Sequence, residues 1–307
     1  MESNTIIKKT NTKGDAAMKT FRSALLLGLT MLVGAAMTAT GASAIDNSSI
    51  GKPEFREHKA TYGLVYRLPK DVTDILDNKI YPTLRERLVK LGLVDETRTF
   101  NLQHVTVVHI HNADPATPGK MLKALPKVPP VLKLTLKDFY TTEASKGAGA
   151  PWWFDLGVVK SGQGYTEMMS YNTVATAALT PLRDGPLPRC TGPVYANMSD
   201  VAKELTRTVG VSGVNVIKDG KETASHNPHN TLVYSMTKFD ERLQAAMKEV
   251  ANEMNSILPN GIDTQFKEVS IVEIGFMGNV LREFYRISLE DGSAWDVTSG
   301  KAVALGK

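Results

Sequence analysis

Two short stretches of this chain are near copies of one another, although their histidines lie 125 residues apart. The first is Asn101-Leu102-Gln103-His104-Val105-Thr106-Val107-Val108, and the second is Asn227-Pro228-His229-Asn230-Thr231-Leu232-Val233-Tyr234. Each is a His-x-Thr that leads into an apolar run rich in β-branched or aromatic residues, the composition of a strand. Residues two apart on a strand share a face, so each segment sets an imidazole and a hydroxyl side by side. A fold that brings the two strands together gathers two imidazoles and two hydroxyls into one small space. Such a group suits proton transfer at a phosphate.

Around these strands, helical and strand patterns are mixed without strict alternation, which predicts an α+β fold. Tyr62 to Leu68 reads as a strand ended by Pro69, and a helical pattern from Asp71 to Leu93 is interrupted by Pro82. A loop with Asp114-Pro115 and Pro118-Gly119 follows the first motif strand, then a short helix through Met121 and Leu125. Strands are expected over Val131–Thr142 and Trp152–Val159, joined by the glycine-rich loop 147–151. Helices are expected over Tyr165–Leu182 and Ser199–Val209, with a proline- and glycine-rich loop around Asp184–Pro193 between them. After the second motif strand come a helix (Phe239–Leu258) and two strands (Val269–Ile274, Leu281–Leu289). Turn signals at Asp291-Gly292 and Ser299-Gly300 suggest a terminal hairpin.

Residues 1–44 read as a leader. Lys19 and Arg22 form a basic start, Ala24 to Met37 carries no charge, and Ala42-Ser43-Ala44 is a small-residue cleavage site before Ile45. The expectation is export to a periplasmic or extracellular space; an uncleaved N-terminal membrane anchor is the alternative. Met18 stands where a signal peptide normally begins, so Met1 to Ala17 reads as a cytoplasmic extension or an upstream start. Residues 45–60 are a polar tether, and 61–307 the folded domain. Five of the 36 basic and two of the 32 acidic residues fall in the leader, leaving 31 and 30 and a net charge of +1. That balance gives no electrostatic footprint for long nucleic acid, so a nucleotide ligand must be held locally. Cys190 is the single cysteine, which excludes an internal disulfide and a cysteine-based zinc site.

The two motifs resemble those of the two-histidine (2H) phosphoesterases, the group of RNA 2′,3′-cyclic phosphodiesterases and bacterial 2′–5′ RNA ligase-like proteins. The resemblance covers roughly Tyr62 to Leu289 by motif order. Asn101 to Thr106 looks like the first motif, Pro228 to Leu232 like the second, and Ser270-Ile271-Val272-Glu273 followed by a strand with Tyr285 like the closing segment. It implies two pseudo-symmetric lobes whose antiparallel sheets form a cleft, with one motif from each. It further implies metal-independent hydrolysis of a 2′,3′-cyclic nucleotide or a related small phosphodiester or RNA end. His104 and His229 would then exchange roles as acid and base while Thr106 and Thr231 bind the phosphate oxygens. The chain departs from the family in its long spacing, with extra length between Thr166 and Asn227, and in the polar spacer Asn230 where an apolar residue is usual.

Two other functions compete. A non-catalytic phosphate- or nucleotide-binding protein could use the same scaffold. A zinc hydrolase could use His109-x-His111 or His226, but strand parity puts His109 and His111 on the face opposite His104 and Thr106. No metal or other cofactor is expected. Trp152, Trp153, Tyr234 and Tyr285 are candidates to stack a base, with at most one of the adjacent tryptophans facing the site. No Walker loop, Rossmann glycine pattern, Gly-x-Ser-x-Gly or His-Glu-x-x-His occurs.

Overall fold

A computed structural model of the chain describes residues 60–93, 103–143, 152–183, 200–209, 214–235, 237–275 and 278–306. The chain divides into two units, Met1–Ala44 and Ile45–Lys307. The leader, tether residues 45–59, Asn101, Leu102, the loops 147–151 and 184–193 and Cys190 lie outside the described residues.

Within the second unit the β-branched runs pair in antiparallel ladders. Strands β1 (Thr61–Arg67), β2 (His104–His111), β9 (Glu268–Ile274), β10 (Val280–Ser288), β11 (Ala294–Asp296) and β12 (Ala302–Val303) form a six-stranded sheet. Its order is β12-β11-β10-β9-β1-β2. Strands β3 (Leu132–Glu143), β4 (Trp152–Val158), β7 (His229–Ser235) and β8 (Ile262–Phe266) form a four-stranded sheet in the order β7-β4-β3-β8. A small hairpin, β5 (Val216–Lys218) and β6 (Lys221–Ala224), stands apart. The helices are α1 (Lys70–Ile75), α2 (Tyr81–Lys90), α3 (Thr117–Ala124), α4 (Gly162–Leu179), α5 (Asp200–Thr208) and α6 (Glu241–Ile257).

One face of each sheet packs into a common core. Leu64, Tyr66 and Val105 of the larger sheet join Leu136, Trp152, Phe154 and Leu156 of the smaller one. Tyr66 meets Phe266 edge-on at 5.9 Å, tying the two sheets together. Helices α4 and α6 cover β3, α4 also touches β2, and α3 covers β9 and β10. Each large side chain buried this way contributes about 1.5–3 kcal/mol. The architecture is α+β, with two antiparallel sheets as its lobes.

Pro82 does not break its helix. Between α1 and α2 the chain makes a π turn (Leu76–Ile80), and Pro82 sits in the first turn of α2. A proline has no N–H to give to the carbonyl four residues back, and the widened turn absorbs that loss. Two elements were not expected from the sequence. The β5–β6 hairpin turns on Asp219 and Gly220, both at positive φ, which is the Asp-Gly signal of a tight hairpin. Strand β8 buries Ile262, Thr264 and Phe266 in alternation, and its polar middle residue hides the pattern.

Both motif strands are edges. β2 ends the larger sheet and β7 ends the smaller one, and the two edges lie against each other. The backbone N–H of His104 donates to Asn230 Oδ1 at 3.2 Å across this seam. An exposed sheet edge carries unpaired backbone groups. Here each edge covers the other.

Candidate active site at the seam of two sheets

Cross-strand partners share a face, so register decides where each histidine points. On β2, His104 stands opposite Arg67 and Thr106 opposite Val65. The register then shifts, and Val108 stands opposite Leu64, His109 opposite Gly63 and His111 opposite Thr61. The extra residue, Val107, is a β-bulge, and its carbonyl accepts a 2.6 Å hydrogen bond from Asn172 Nδ2 of α4. Asn172 is held in turn by the Asn215 backbone N–H at 2.7 Å. This bulge overturns simple strand parity: His109 and His111 lie on the same face as His104 and Thr106. They are still distant, since His109 is roughly 15 Å along the strand from His104. His111 is buried, with Nδ1 2.9 Å from Thr61 Oγ1. Among the described residues no three His, Cys, Asp or Glu side chains are grouped to hold a metal ion.

On β7, His229 stands opposite Gly157 and Thr231 opposite Asp155. A second bulge follows, after which Tyr234 stands opposite Trp153. The Tyr234 and Trp153 rings stack at 6.0 Å and 5° on the face that carries His229 and Thr231. His229 Nδ1 lies 2.7 Å from the Asn227 carbonyl. A carbonyl can only accept, so Nδ1 carries the proton and Nε2 is the nitrogen left to react.

Beneath His229 lies Asp155, which is fully buried. Its Oδ1 accepts from Thr231 Oγ1 at 2.9 Å and lies 3.8 Å from His229 Nε2. Its Oδ2 accepts from Thr142 Oγ1 at 2.9 Å. Burial pushes the Asp155 carboxyl up from the ordinary carboxylate value, against the opposing pull of His229 and the two threonine hydroxyls. Tyr140, opposite Asp155 on β3, receives a 3.1 Å hydrogen bond from Asn227 Nδ2. Burial, and then the charge of Asp155, push its phenol up to about 12.

The reverse face of each motif strand belongs to the common core, so both His-x-Thr pairs lie on the side turned away from it. His104 is buried at the seam, and His229, Thr106 and Thr231 are partly exposed. The spacer Asn230 now has a physical reason, because an apolar residue there could not receive the His104 N–H. Beside His104, Arg67 contacts Glu268 at 3.4 Å and Glu283 at 3.3 Å. Glu283 also accepts from Ser270 at 2.6 Å and is forked by Arg286. An open groove of about 890 Å³ runs from Gln103 and Arg67 past Glu268 and Arg286 to Trp295.

Two stacking candidates fall elsewhere. Trp152 points into the core, stacked on Phe239 at 4.8 Å. Tyr285 stands opposite Ile271 on the core-side face, with its hydroxyl near Gly119 of α3. Asp155, Tyr140 and Asn172 were not singled out from sequence. Asp155 did leave a signal: it is the one charge in the otherwise apolar run Trp152 to Val159. Burying a charge is costly, so a lone acid in a strand of that kind marks a position held for another purpose.

No family model matches the sequence, and no curated protein matches it. Among solved structures the chain is similar to Usb1 of Kluyveromyces marxianus, at 12% identity and a TM-score of 0.38. The overlap covers 76% of this chain and 98% of that one.

Proposed function

We propose that this chain is a metal-independent phosphodiesterase that hydrolyses a 2′,3′-cyclic nucleotide or a related small phosphodiester end. One observation carries the proposal: the only two His-x-Thr strands are sheet edges that meet, with both motifs turned off the core. One imidazole would take a proton from water while the other gives one to the leaving ribose oxygen. His229 is suited to this by its oriented ring, with Nε2 as the working nitrogen. Thr106 makes no side-chain hydrogen bond among the described residues, so its proton is available to a non-bridging oxygen as charge develops there. The Trp153–Tyr234 pair offers a flat aromatic surface on the face of the second motif.

The leader supports action outside the cytoplasm, on scavenged or envelope-derived phosphodiesters. The near-neutral mature chain favours a small substrate over long nucleic acid.

The test is turnover of a panel of 2′,3′-cyclic nucleotides by the domain in chelator, beside His104→Ala and His229→Ala. Activity that survives chelation and collapses in both variants is expected. Ligand binding without turnover would reassign the chain as a binding protein. Turnover indifferent to both substitutions would remove the site.

A further inference from the structure

We propose that Asp155 is a positioning residue that makes the second half-site take up a proton when it binds an anion. This rests on the seam being a phosphate site.

A hydroxyl has one proton to give. While Asp155 is ionised, the Thr231 proton is committed to Oδ1 at 2.9 Å, and Thr231 offers an incoming oxyanion only lone pairs. Behind it stands a buried negative charge whose other oxygen is already bonded to Thr142 at 2.9 Å. A phosphate arriving beside His229 is therefore repelled by both. One proton from solvent on Asp155 removes the charge and reverses the bond. The carboxylic acid then donates to Thr231 Oγ1, and the Thr231 hydroxyl is free to donate to the ligand. The same proton returns to solvent when the anion leaves.

The surroundings favour this exchange. Full burial already disfavours the ionised carboxyl, so the proton is taken up by a group already pushed toward neutrality. Among the described residues, the titratable groups facing Asp155 are His229 from β7 and Tyr140 from β3. Tyr140 is held neutral through the working range, so it does not compete with Asp155 for this proton. Among the described residues the first half-site has no counterpart, because Thr106 stands opposite Val65.

The experiment is infrared difference spectroscopy of the whole protein on adding inorganic phosphate, with affinities followed across pH. Wild type should gain a protonated-carboxyl band that Asp155→Asn lacks and Thr231→Val shifts. At neutral pH, Asp155→Asn should bind phosphate roughly tenfold tighter for each pH unit by which wild type must be protonated to bind. Its affinity should also lose the part of the pH slope that Asp155 supplies. Phosphate binding that depends on His104 and His229 but gives no such band would overturn the role of Asp155 and leave the site standing. Binding indifferent to His104→Ala and His229→Ala would remove the phosphate site and the proposal with it. The wild-type band and its shift in Thr231→Val remain readable should Asp155→Asn fail to fold.

Discussion

The two His-x-Thr strands are alike in sequence and unlike in setting. On β2, the Thr106 hydroxyl stands over Val65, and strand shape is fixed from behind by Asn172 at the bulge. On β7, the Thr231 hydroxyl is bonded to a buried carboxylate, and the His229 ring is fixed by the Asn227 carbonyl. The first half-site is set by backbone shape, and the second by a hydrogen-bond network under its side chains. A repeated motif therefore need not give two equivalent halves, because the strand beside each copy decides what its hydroxyl can do.

The largest expected effect treats the halves as equals. His104→Ala and His229→Ala should each lower turnover by roughly 10²–10⁴-fold, and near-normal activity in either would show that one half is dispensable. Along β4 the neighbouring tryptophans should separate cleanly. Trp152→Ala should cost about 3–5 kcal/mol in a denaturant titration, whereas Trp153→Ala should mainly raise KM.

The threonines sharpen the contrast. Thr106→Val should lower kcat by roughly 10²-fold, as loss of a donor to a developing oxyanion does. Thr231→Val should cost less at neutral pH, and the gap should narrow as pH falls; equal losses at all pH values would make the halves equivalent. Asn230→Ala removes the acceptor that the His104 N–H uses across the seam and should cost about 1–3 kcal/mol by chemical denaturation. Asn172→Ala, which strands the Val107 carbonyl, should cost a similar amount.

The smallest effect concerns Asp155 and stability. Its folded-state carboxyl is raised, so its favourable share of stability is complete below the unfolded value of about 4 and is lost as pH rises through the folded one. Asp155→Asn should therefore raise the urea midpoint relative to wild type at pH 7, with the difference vanishing near pH 4. A gain that persists in acid would place the cause elsewhere.

Much of this was legible beforehand. The element pattern around the motifs and the α+β mixture follow from hydrophobic periodicity and turn residues, which act over a few neighbours, whereas the two lobes were implied by the resemblance of the motifs. His104 and Thr106, and likewise His229 and Thr231, share a face because nothing interrupts two residues of strand. The parity of His109 and His111 was not legible, because one bulge residue reverses it. Which of Trp152 and Trp153 faces the site, and which face carries Tyr285, is left open by the sequence for a related reason. A strand pattern says that alternate residues differ in face, but it does not say which face meets the core.

Local spacing and burial preference suffice to put two imidazole–hydroxyl pairs on strands with apolar backs. Tertiary structure alone decided that these strands are sheet edges that cover one another, and that Asn230 bridges them. It also decided that Asp155 lies beneath only one of them. Those outcomes depend on register and on partners 50 to 130 residues away, such as Gly157 and Asp155 beside β7 and Asn230 beside His104. A single-residue change in register inverts every face, and no local pattern records which register wins.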